Sequence, residues 1–416
     1  MEISFLGGAG EVGRSAVLLK GEKNILLDSG VKIDHKIEYP IEAGRVDALV
    51  LSHAHLDHSG SAPSLYRSAF PVAFGTAPTL QLSELLIEDS IKIARRNHSV
   101  QHFAKAQLSS FMSKYLSYNY GTQIDFNGLC ITLYDAGHIS GSSITLIENA
   151  RTDRRLVYTG DFKIDPQVLQ GSADIIKSDI LVIESTYANK EHPDRGELIR
   201  KFIEEVRETL DNGGTALIPC FAVGRSQEIL AILYNNGLID HTYIDGMAKK
   251  AARIVMNHPE FTRNSEVLTK ALKNSIWVDE LRERKMALKS PSIIVTTSGM
   301  LTGGPVLDYI TKLNPKSKIL LTGYQMEGTN GRNLMENKPI TIDGKKYSIK
   351  LPVSFYDFSA HAGAADLYEY VRKSNPEHVI CVHGDPKNTK LFAETLSMQG
   401  FEAHAPNVGE KIELEF

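Results

Sequence analysis

Cysteine is scarce in this chain of 416 residues, which contains only Cys130, Cys220 and Cys381. The three are isolated and form no CxxC pair, so the sequence has no cysteine pattern typical of a disulfide framework or a thiolate zinc site. They fit reduced thiols, and we therefore expect a cytoplasmic protein. Any metal site must be built from histidine and carboxylate side chains.

Long apolar runs and a basic leader are also missing. No apolar segment approaches the roughly 20 residues that span a bilayer. The N-terminal stretch MEISFLGGAGEVGR has no basic segment followed by an apolar core, so it is not a secretory signal. We therefore expect no membrane partner. The hydrophobic fraction of 42 % and the charged fraction of 23 % are those of an ordinary globular protein, and the length predicts two or more domains.

The chain has little excess of either charge, with a net charge of −4. Residues 185–350 nevertheless carry 24 Lys+Arg against 19 Asp+Glu, while the remainder carries 22 against 31. A mildly basic middle segment favours a substrate that bears phosphate groups. Local excesses of this size are also common in proteins that bind no polyanion.

The order of predicted elements indicates an α/β fold. The first 184 residues are short β-rich runs that end in polar turns, interrupted by helices predicted over 77–97 and 104–117. From about residue 193, strands and helices alternate, which predicts a parallel sheet covered by helices. After residue 350 the pattern predicts helices near 364–373 and 387–399 and two closing strands.

Titratable residues recur at the C-terminal ends of the buried-looking strands. If these strands share sheets, their ends would converge at one edge, where a rigid scaffold can hold a site in its loops. The alternative, that strands simply end in polar turns, accounts for an aspartate but poorly for three histidine-bearing ends. The residues are Asp28, His53, His55, His138, Asp161, Glu184 and His383. The stretch HAHLDH adds Asp57 and His58, and four potential ligands within six positions predict a metal site.

HAHLDH resembles the HxHxDH signature of the metallo-β-lactamase fold, with Asp28, His138 and Asp161 in the expected order. The resemblance implies an αββα sandwich that binds two Zn²⁺ per chain. It implies one zinc held by His53, His55 and His138, and a second held by Asp57, His58 and a later residue. Asp161 would bridge the two ions, and Asp28 would support the histidine cluster.

Three further motifs resemble the β-CASP nucleases of this fold, which act on nucleic acids. They are Glu184 in ESTY, His361 in FSAHAG and His383 in VHGD. The similarity is greatest to short archaeal homologues of the cleavage and polyadenylation endonuclease, with ribonuclease J as a close cousin. It implies that His383 completes the second zinc site, and that His361, oriented by Glu184, is a general acid. Asp57 is carried over as both a ligand and a catalytic residue.

The resemblance also implies the domain organisation. The 200 residues between Asp161 and His361 would contain an inserted α/β β-CASP domain, which we place at 189–350 between two parts of a metallo-β-lactamase domain at 1–188 and 351–416. We expect neither an N-terminal RNA-binding domain nor the additional C-terminal domain of ribonuclease J.

The implied function is zinc-dependent hydrolysis of phosphodiester bonds in single-stranded RNA by a water activated between two metals. Endonuclease and 5′-to-3′ exonuclease action are both left open, as is assembly into a homodimer. The alternatives are a DNA-directed β-CASP nuclease and a small-molecule hydrolase of the same fold.

Two residues are candidates for binding substrate. Ser359 either donates a hydrogen bond to phosphate or caps the helix predicted at 364–373, and Arg332 in GTNGR either binds RNA phosphate or is an ordinary surface arginine. The glycines of GGAGEVG have the wrong spacing for a dinucleotide site and predict a turn beside the active site. Four histidines without motif context are expected to be surface or capping residues: His35, His98, His192 and His241.

Overall fold

The structure, a computed structural model, describes residues 1–33, 36–96 and 99–416, so His35 and His98 lie outside the described residues. The chain divides into two units. The first unit comprises Met1–Pro166, Gln170–Glu191 and Ala360–Phe416, and the second comprises Gln167–Leu169 and His192–Ser359. The domain boundaries predicted after residues 188 and 350 stay a prediction.

The first unit contains two sheets of seven strands each. The first sheet runs, in spatial order, through Lys411–Glu413, Glu2–Gly7, Ala16–Lys20, Ile25–Leu27, Ala48–Val50, Val72–Gly75 and Tyr115–Ser117. Its last four strands pair in parallel. The second sheet runs through Glu402–His404, His378–Val382, Ile180–Glu184, Arg155–Tyr158, Ser143–Asn149, Leu129–Asp135 and Gln123–Phe126. Its first four strands pair in parallel. The two closing strands of the chain therefore join different sheets.

The two sheets pack face to face, and apolar side chains at alternate strand positions fill the core between them. This core includes Phe5, Val17, Ile147 and Ile380. The outer face of the first sheet packs against the helices Ala77–Arg96 and Lys105–Lys114. The outer face of the second sheet packs against Ala364–Ser374 and Pro386–Met398. The shorter elements of this unit are the helices Leu56–Ser59 and Ala62–Arg67 and the paired strands Lys32–Ile33 and Ile37–Glu38. This arrangement is the predicted αββα sandwich.

The prediction of a helix over 104–117 is wrong for its last three residues. The helix ends at Lys114, and Tyr115–Ser117 forms an edge strand that pairs in parallel with Val72–Gly75. The Tyr115 ring is buried, and its hydroxyl donates a hydrogen bond of 3.2 Å to the carbonyl of Thr76. Helical spacing of apolar residues continues past Lys114, but this buried pairing with the sheet overrides it.

The second unit contains the parallel sheet that the sequence predicted. Its six strands, in spatial order, are Ile276–Trp277, Thr242–Asp245, Ser292–Thr296, Thr215–Pro219, Lys318–Leu321 and Val353–Phe355. All five pairings are parallel. The helices are Arg195–Asp211, Arg225–Asn235, Ala248–Met256, Ser265–Asn274, Leu281–Met286, Val306–Ile310 and Asn330–Met335, with 3₁₀ turns at Ile239–His241 and Pro259–Phe261. A hairpin pairs Ile340–Ile342 with Lys345–Tyr347.

Among the described residues, no helix combines the length and apolar character required to cross a membrane.

Candidate metal centre

The candidate site lies in the first unit, at the ends of parallel strands of its two sheets. In the first sheet Leu27 pairs with Val50, so the turns that follow these strands bring Asp28 close to His53. In the second sheet Glu184 pairs with Val382, so His383 comes one residue past this pair. The register of the parallel strands therefore brings together residues that are far apart in the sequence, as expected from the strand ends.

Three imidazoles and one carboxylate form the first donor group, which consists of His53, His55, His138 and Asp161. Nδ1 of His55 lies 3.2 Å from Nε2 of His53 and 3.1 Å from Nε2 of His138. Nδ1 of His138 lies 2.9 Å from the carbonyl of Ala360, which can only accept, so Nδ1 carries the proton. In the neutral ring the lone pair is then on Nε2, which faces the other two histidines.

The second donor group consists of Asp57, His58, Asp161 and His383. His383 lies between the two carboxylates, with Nε2 3.5 Å from Oδ2 of Asp57 and Nδ1 3.2 Å from Oδ1 of Asp161. Its backbone adopts a φ of 50°, and its N–H donates a hydrogen bond of 2.5 Å to the carbonyl of Gly8. The glycine-rich turn near the N-terminus thus holds the turn that carries His383.

Asp161 is shared by the two donor groups, and each of its carboxylate oxygens faces one of them. Oδ2 lies 3.5 Å from Nε2 of His53 and 3.9 Å from Nε2 of His138. Oδ1 lies 3.2 Å from Nε2 of His58 and 3.2 Å from Nδ1 of His383. A carboxylate placed in this way can link two cations.

Asp28 orients His58, one member of the second donor group. Its Oδ2 accepts hydrogen bonds of 2.7 Å from the hydroxyls of Ser52 and Tyr158 and lies 2.7 Å from Nδ1 of His58. Its Oδ1 accepts a fourth bond, of 2.7 Å, from the Ser52 backbone N–H. Because the carboxylate fixes the proton of His58 on Nδ1, Nε2 is directed at Asp161.

Burial and charge set the protonation of the histidines. Burial lowers the pKa of His53 and of His138 well below the usual value, and neighbouring histidines lower it further. These rings are therefore neutral at neutral pH and can bind a metal ion. Burial also opposes the charged form of His58, but the carboxylates of Asp161 and Asp28 outweigh it and raise the pKa well above the usual value.

The residues fit metal ions with nitrogen and oxygen ligands. Oδ1 of Asp161 and Nε2 of His383 are buried, and in the described part of the chain neither makes a hydrogen bond of regular geometry, although each lies within 3.5 Å of an ionisable partner. Leaving buried polar atoms unpaired is costly, and cations that bind both groups would remove that cost. The mixture of imidazole and carboxylate donors is one that zinc accepts.

His361 and Glu184 form a separate pair beside the two donor groups. Nδ1 of His361 lies 3.0 Å from Oε2 and 3.2 Å from Oε1 of Glu184, which is buried and also accepts a bond of 2.9 Å from the Phe162 N–H. Nδ1 is 3.9 Å from Oδ2 of Asp161. Burial lowers the pKa of His361, but the charges of Glu184 and Asp161 outweigh it and raise the pKa to about 9. His361 is therefore a protonated side chain at neutral pH.

The two predicted substrate contacts belong to the second unit. Ser359 is buried, and the helix Ala364–Ser374 has Gly363 as its N-cap, so the alternative that Ser359 caps this helix is wrong. Arg332 lies in the helix Asn330–Met335, and its Nε is 2.5 Å from Oε1 of Glu336. Of the histidines without motif context, His192 lies 3.6 Å from Asp357, and His241 is exposed at the end of a 3₁₀ turn.

Three residues that support the site were not found from the sequence. Ser52 and Tyr158 hold Asp28, and the ammonium of the buried Lys163 donates a bond of 3.2 Å to the carbonyl of His361. The sequence does carry one indication of the role of Lys163. In GDFKID this lysine lies two residues after the strand-end aspartate Asp161, where a solvated side chain is not expected. Ser52 and Tyr158 gave none, because serine and tyrosine are common near strand ends.

Comparison with known families agrees with this geometry. Residues 9–175 match the Metallo-beta-lactamase superfamily, and residues 226–334 match the Beta-Casp domain. Residues 346–406, a range that contains His361 and His383, match the Zn-dependent metallo-hydrolase RNA specificity domain. The chain belongs to the Beta-Casp family of metallo-beta-lactamase-fold proteins.

Relatives that match nearly all of this chain include archaeal proteins. The chain is 39 % identical to a probable RNase MJ4 of Methanocaldococcus jannaschii, with 100 % of both chains covered. It is 33 % identical to RNase aCSPSF2 of Saccharolobus solfataricus, covering 99 % of this chain and 85 % of the relative. It is 34 % identical to the transcription termination factor FttA of M. jannaschii, with 95 % of this chain and 69 % of the relative covered. A crystal structure of a protein of unknown function from Enterococcus faecalis V583 shares the fold, with a TM-score of 0.65, 13 % identity and 99 % coverage of both chains.

Proposed function

We propose that this protein is a zinc-dependent ribonuclease that hydrolyses phosphodiester bonds of single-stranded RNA. The observation that carries the proposal is the position of Asp161, whose two oxygens face two separate donor groups. A protonated histidine, His361, lies beside this carboxylate and is held by Glu184. Two cation sites that share a carboxylate, with a proton donor next to them, are suited to phosphodiester hydrolysis.

The ligand assignment follows the two donor groups. His53, His55, His138 and Asp161 would hold one zinc, and Asp57, His58, Asp161 and His383 would hold the other. When bound, the two ions would supply neutralisation of phosphate charge and a lowered pKa for an attacking water.

The protein's own residues account for the proton transfer. In-line attack on phosphorus expels the 3′-side ribose oxygen, which must receive a proton. Without metal ions His361 is charged at neutral pH, and because Glu184 accepts its Nδ1 proton, the proton on Nε2 is the one available for transfer. Lys163, which donates to the His361 carbonyl, would fix the backbone of this turn. The products would carry a 5′-phosphate and a 3′-hydroxyl.

RNA is the preferred substrate class because of what the chain resembles. The RNA specificity domain covers the segment with both late histidines, and two of the archaeal relatives are named as RNases. A DNA-directed nuclease of the same family is the second candidate, since the donor groups themselves would serve either nucleic acid. A small-molecule hydrolase is disfavoured by the pairing of His361 with Glu184 and by the inserted unit that separates them in sequence.

The proposal also assigns residues that would contact the phosphates of the substrate. The segment 189–350, which we assign to the inserted domain, would supply most phosphate contacts. Ser359 would donate to a phosphate oxygen. The Nε of Arg332 is paired with Glu336, whose negative charge would oppose phosphate binding by the remaining N–H groups, which makes Arg332 the weaker of the two candidates.

The test is incubation with RNA of one sequence labelled at either end, with the 5′ end free or protected, beside DNA of the same sequence. Cleavage of RNA, absent in Asp161→Ala, supports the proposal. Internal products with a protected 5′ end indicate endonuclease action, and loss of cleavage on protection indicates 5′-to-3′ exonuclease action. Faster cleavage of DNA than RNA, or no cleavage of either by zinc-loaded protein, would overturn it.

A further inference from the structure

A third group of metal-ligating side chains lies at the edge of the second sheet, apart from the candidate metal centre. It consists of His378, Glu402 and His404. His378 begins the strand His378–Val382, and His383 follows the other end of that strand. At about 3.3 Å per residue, five residues separate the two histidines by about 16 Å.

The strand register places the three side chains on one face of the sheet. His378 pairs with Glu402 and Ile380 pairs with His404 in a parallel ladder. Paired residues point to the same face, and residues two apart along a strand do so as well. The three side chains are therefore neighbours as a result of the backbone pairing.

The distances are those of ligands that could share one ion. Nδ1 of His378 is 3.4 Å from Oε2 of Glu402, and Nε2 of His404 is 3.6 Å from Oε1 of the same carboxylate. Metal–nitrogen and metal–oxygen bonds of about 2.0–2.1 Å in a tetrahedral site place neighbouring ligand atoms about 3.3 Å apart. The three ligand atoms lie within 4.8 Å of one another, so side-chain movements of up to about 1.5 Å would bring them to the spacing of a tetrahedral site.

The two histidine nitrogens concerned are buried atoms without a hydrogen-bond partner among the residues that the structure describes. The side chain of His378 is 15 % exposed and that of His404 is 32 % exposed, so both rings are partly buried. Glu402, at 63 %, keeps the freedom to adjust its carboxylate around an ion. Buried polar atoms without a hydrogen-bond partner require an explanation, and an ion bound between them supplies one.

We propose that His378, Glu402 and His404 bind one divalent transition-metal ion, with zinc as the ion to test first. Two imidazoles and one carboxylate are ligands that zinc prefers, and three protein ligands leave the remaining position to water. The ion would join the strand that carries His383 to the edge strand of the same sheet. The site is independent of the proposed ribonuclease activity and uses none of its residues.

The test counts metal ions on the full-length protein prepared without a histidine tag. Equilibrium dialysis against zinc, followed by elemental analysis, is compared for the wild type, His378→Ala, His404→Ala and Glu402→Gln. His241→Ala is the control, because His241 is an exposed histidine in none of the three-ligand groups of the described residues. We expect the wild type and the control to bind one more zinc per chain than His378→Ala and His404→Ala.

A second measurement separates metal binding from a change in folding. The ring nitrogens of His378 and His404 should shift together in an imidazole NMR spectrum as zinc is added, and Glu402→Gln should weaken this binding at least tenfold. Equal zinc content in all five proteins, or ring signals that do not respond to zinc, would overturn the proposal and leave the cluster as two histidines paired with one carboxylate.

Discussion

Nδ1 of His58 lies 2.7 Å from the carboxylate of Asp28, which also accepts hydrogen bonds from Ser52 and Tyr158. The direction of His58 is therefore set by a residue that is itself fixed by two other elements of the fold. Hydrogen bonds of this kind to a metal-binding histidine orient the ring and make its other nitrogen a better ligand.

Asp28→Asn should weaken metal binding by about 10–100-fold, the usual cost of removing such a partner. An amide cannot accept from all four donors, so its NH₂ group would face a hydroxyl or His58, and that ring would lose its fixed orientation. The measurement is a zinc titration against a chelator of known affinity. Asp125→Asn, which changes an exposed aspartate of the same unit, is the matched control. Equal affinities in the two variants would contradict the role of Asp28.

His383→Ala and His361→Ala should fail in different ways, and each variant is the control for the other. His383→Ala removes a proposed ligand, so both zinc content and cleavage should fall. His361→Ala should keep its zinc and still bind RNA, while cleavage slows by about 10²–10⁴-fold, the usual effect of a lost general acid. RNA with a 3′-thio leaving group, which needs little protonation, should recover much of that loss. Loss of zinc from His361→Ala would refute the assignment.

The pKa of His361 in the metal-free protein should lie near 9, above the usual 6.5, and Glu184→Gln should lower it. A raised pKa in the folded state means that the folded chain holds a proton that the unfolded chain releases. This contribution to stability is complete below about pH 6.5 and is lost as the pH rises through about 9. An NMR titration of the ring measures the pKa directly. A value at or below 6.5 would contradict the charge interaction with Glu184.

Metal binding should release a proton from His58 and should therefore weaken as the pH falls. Asp161 and Asp28 keep this histidine protonated in the metal-free site, and a cation must displace the proton from Nε2. Calorimetry of zinc binding in buffers with different ionisation enthalpies counts the protons released. His58→Ala should release fewer protons, and equal proton release in both proteins would contradict this account.

Removing zinc with a chelator should abolish cleavage, and adding zinc back should restore it.

Affinity for single-stranded RNA should fall with salt, and lysines of the second unit should account for part of the slope. Lys345 and Lys346 are exposed on the hairpin of that unit. In an Asp161→Ala background, replacing both with Gln should reduce the slope of log affinity against log salt by up to about 0.7 per lost phosphate contact. Replacing Lys105 and Lys114, which are exposed in the first unit, is the control. Equal slopes for the two pairs would argue against RNA capture by this hairpin.

The sequence was most informative where metal-ligating residues lie close together in the chain or directly follow a predicted strand. HAHLDH supplies four potential ligands within six residues, and the strand patterns before Asp161, Glu184 and His383 predicted the edge at which these residues meet. The alternation of strands and helices after residue 193 predicted the parallel sheet of the second unit.

What the sequence did not provide depends on contacts between distant elements. The proton position on His138 follows from the carbonyl of Ala360, 222 residues away, and backbone carbonyls leave no mark in a sequence. The bond from Tyr158 to Asp28 requires the two sheets to be packed face to face. The end of the helix at Lys114 was missed because the choice between helix and strand for Tyr115 is made by its neighbours in the sheet.

The strand His378–Val382 has a consequence for the timing of synthesis. It pairs with Ile180–Glu184, although His192–Ser359, the main part of the second unit, is translated between them. A growing chain that has reached residue 350 has the HAHLDH stretch, Asp161 and Glu184, but neither His361 nor His383. Its second sheet also has an unpaired edge where the last strands will join. The protein therefore remains without a complete site on the ribosome until nearly all of the chain described here has been made, and catalytic competence arises in one late step.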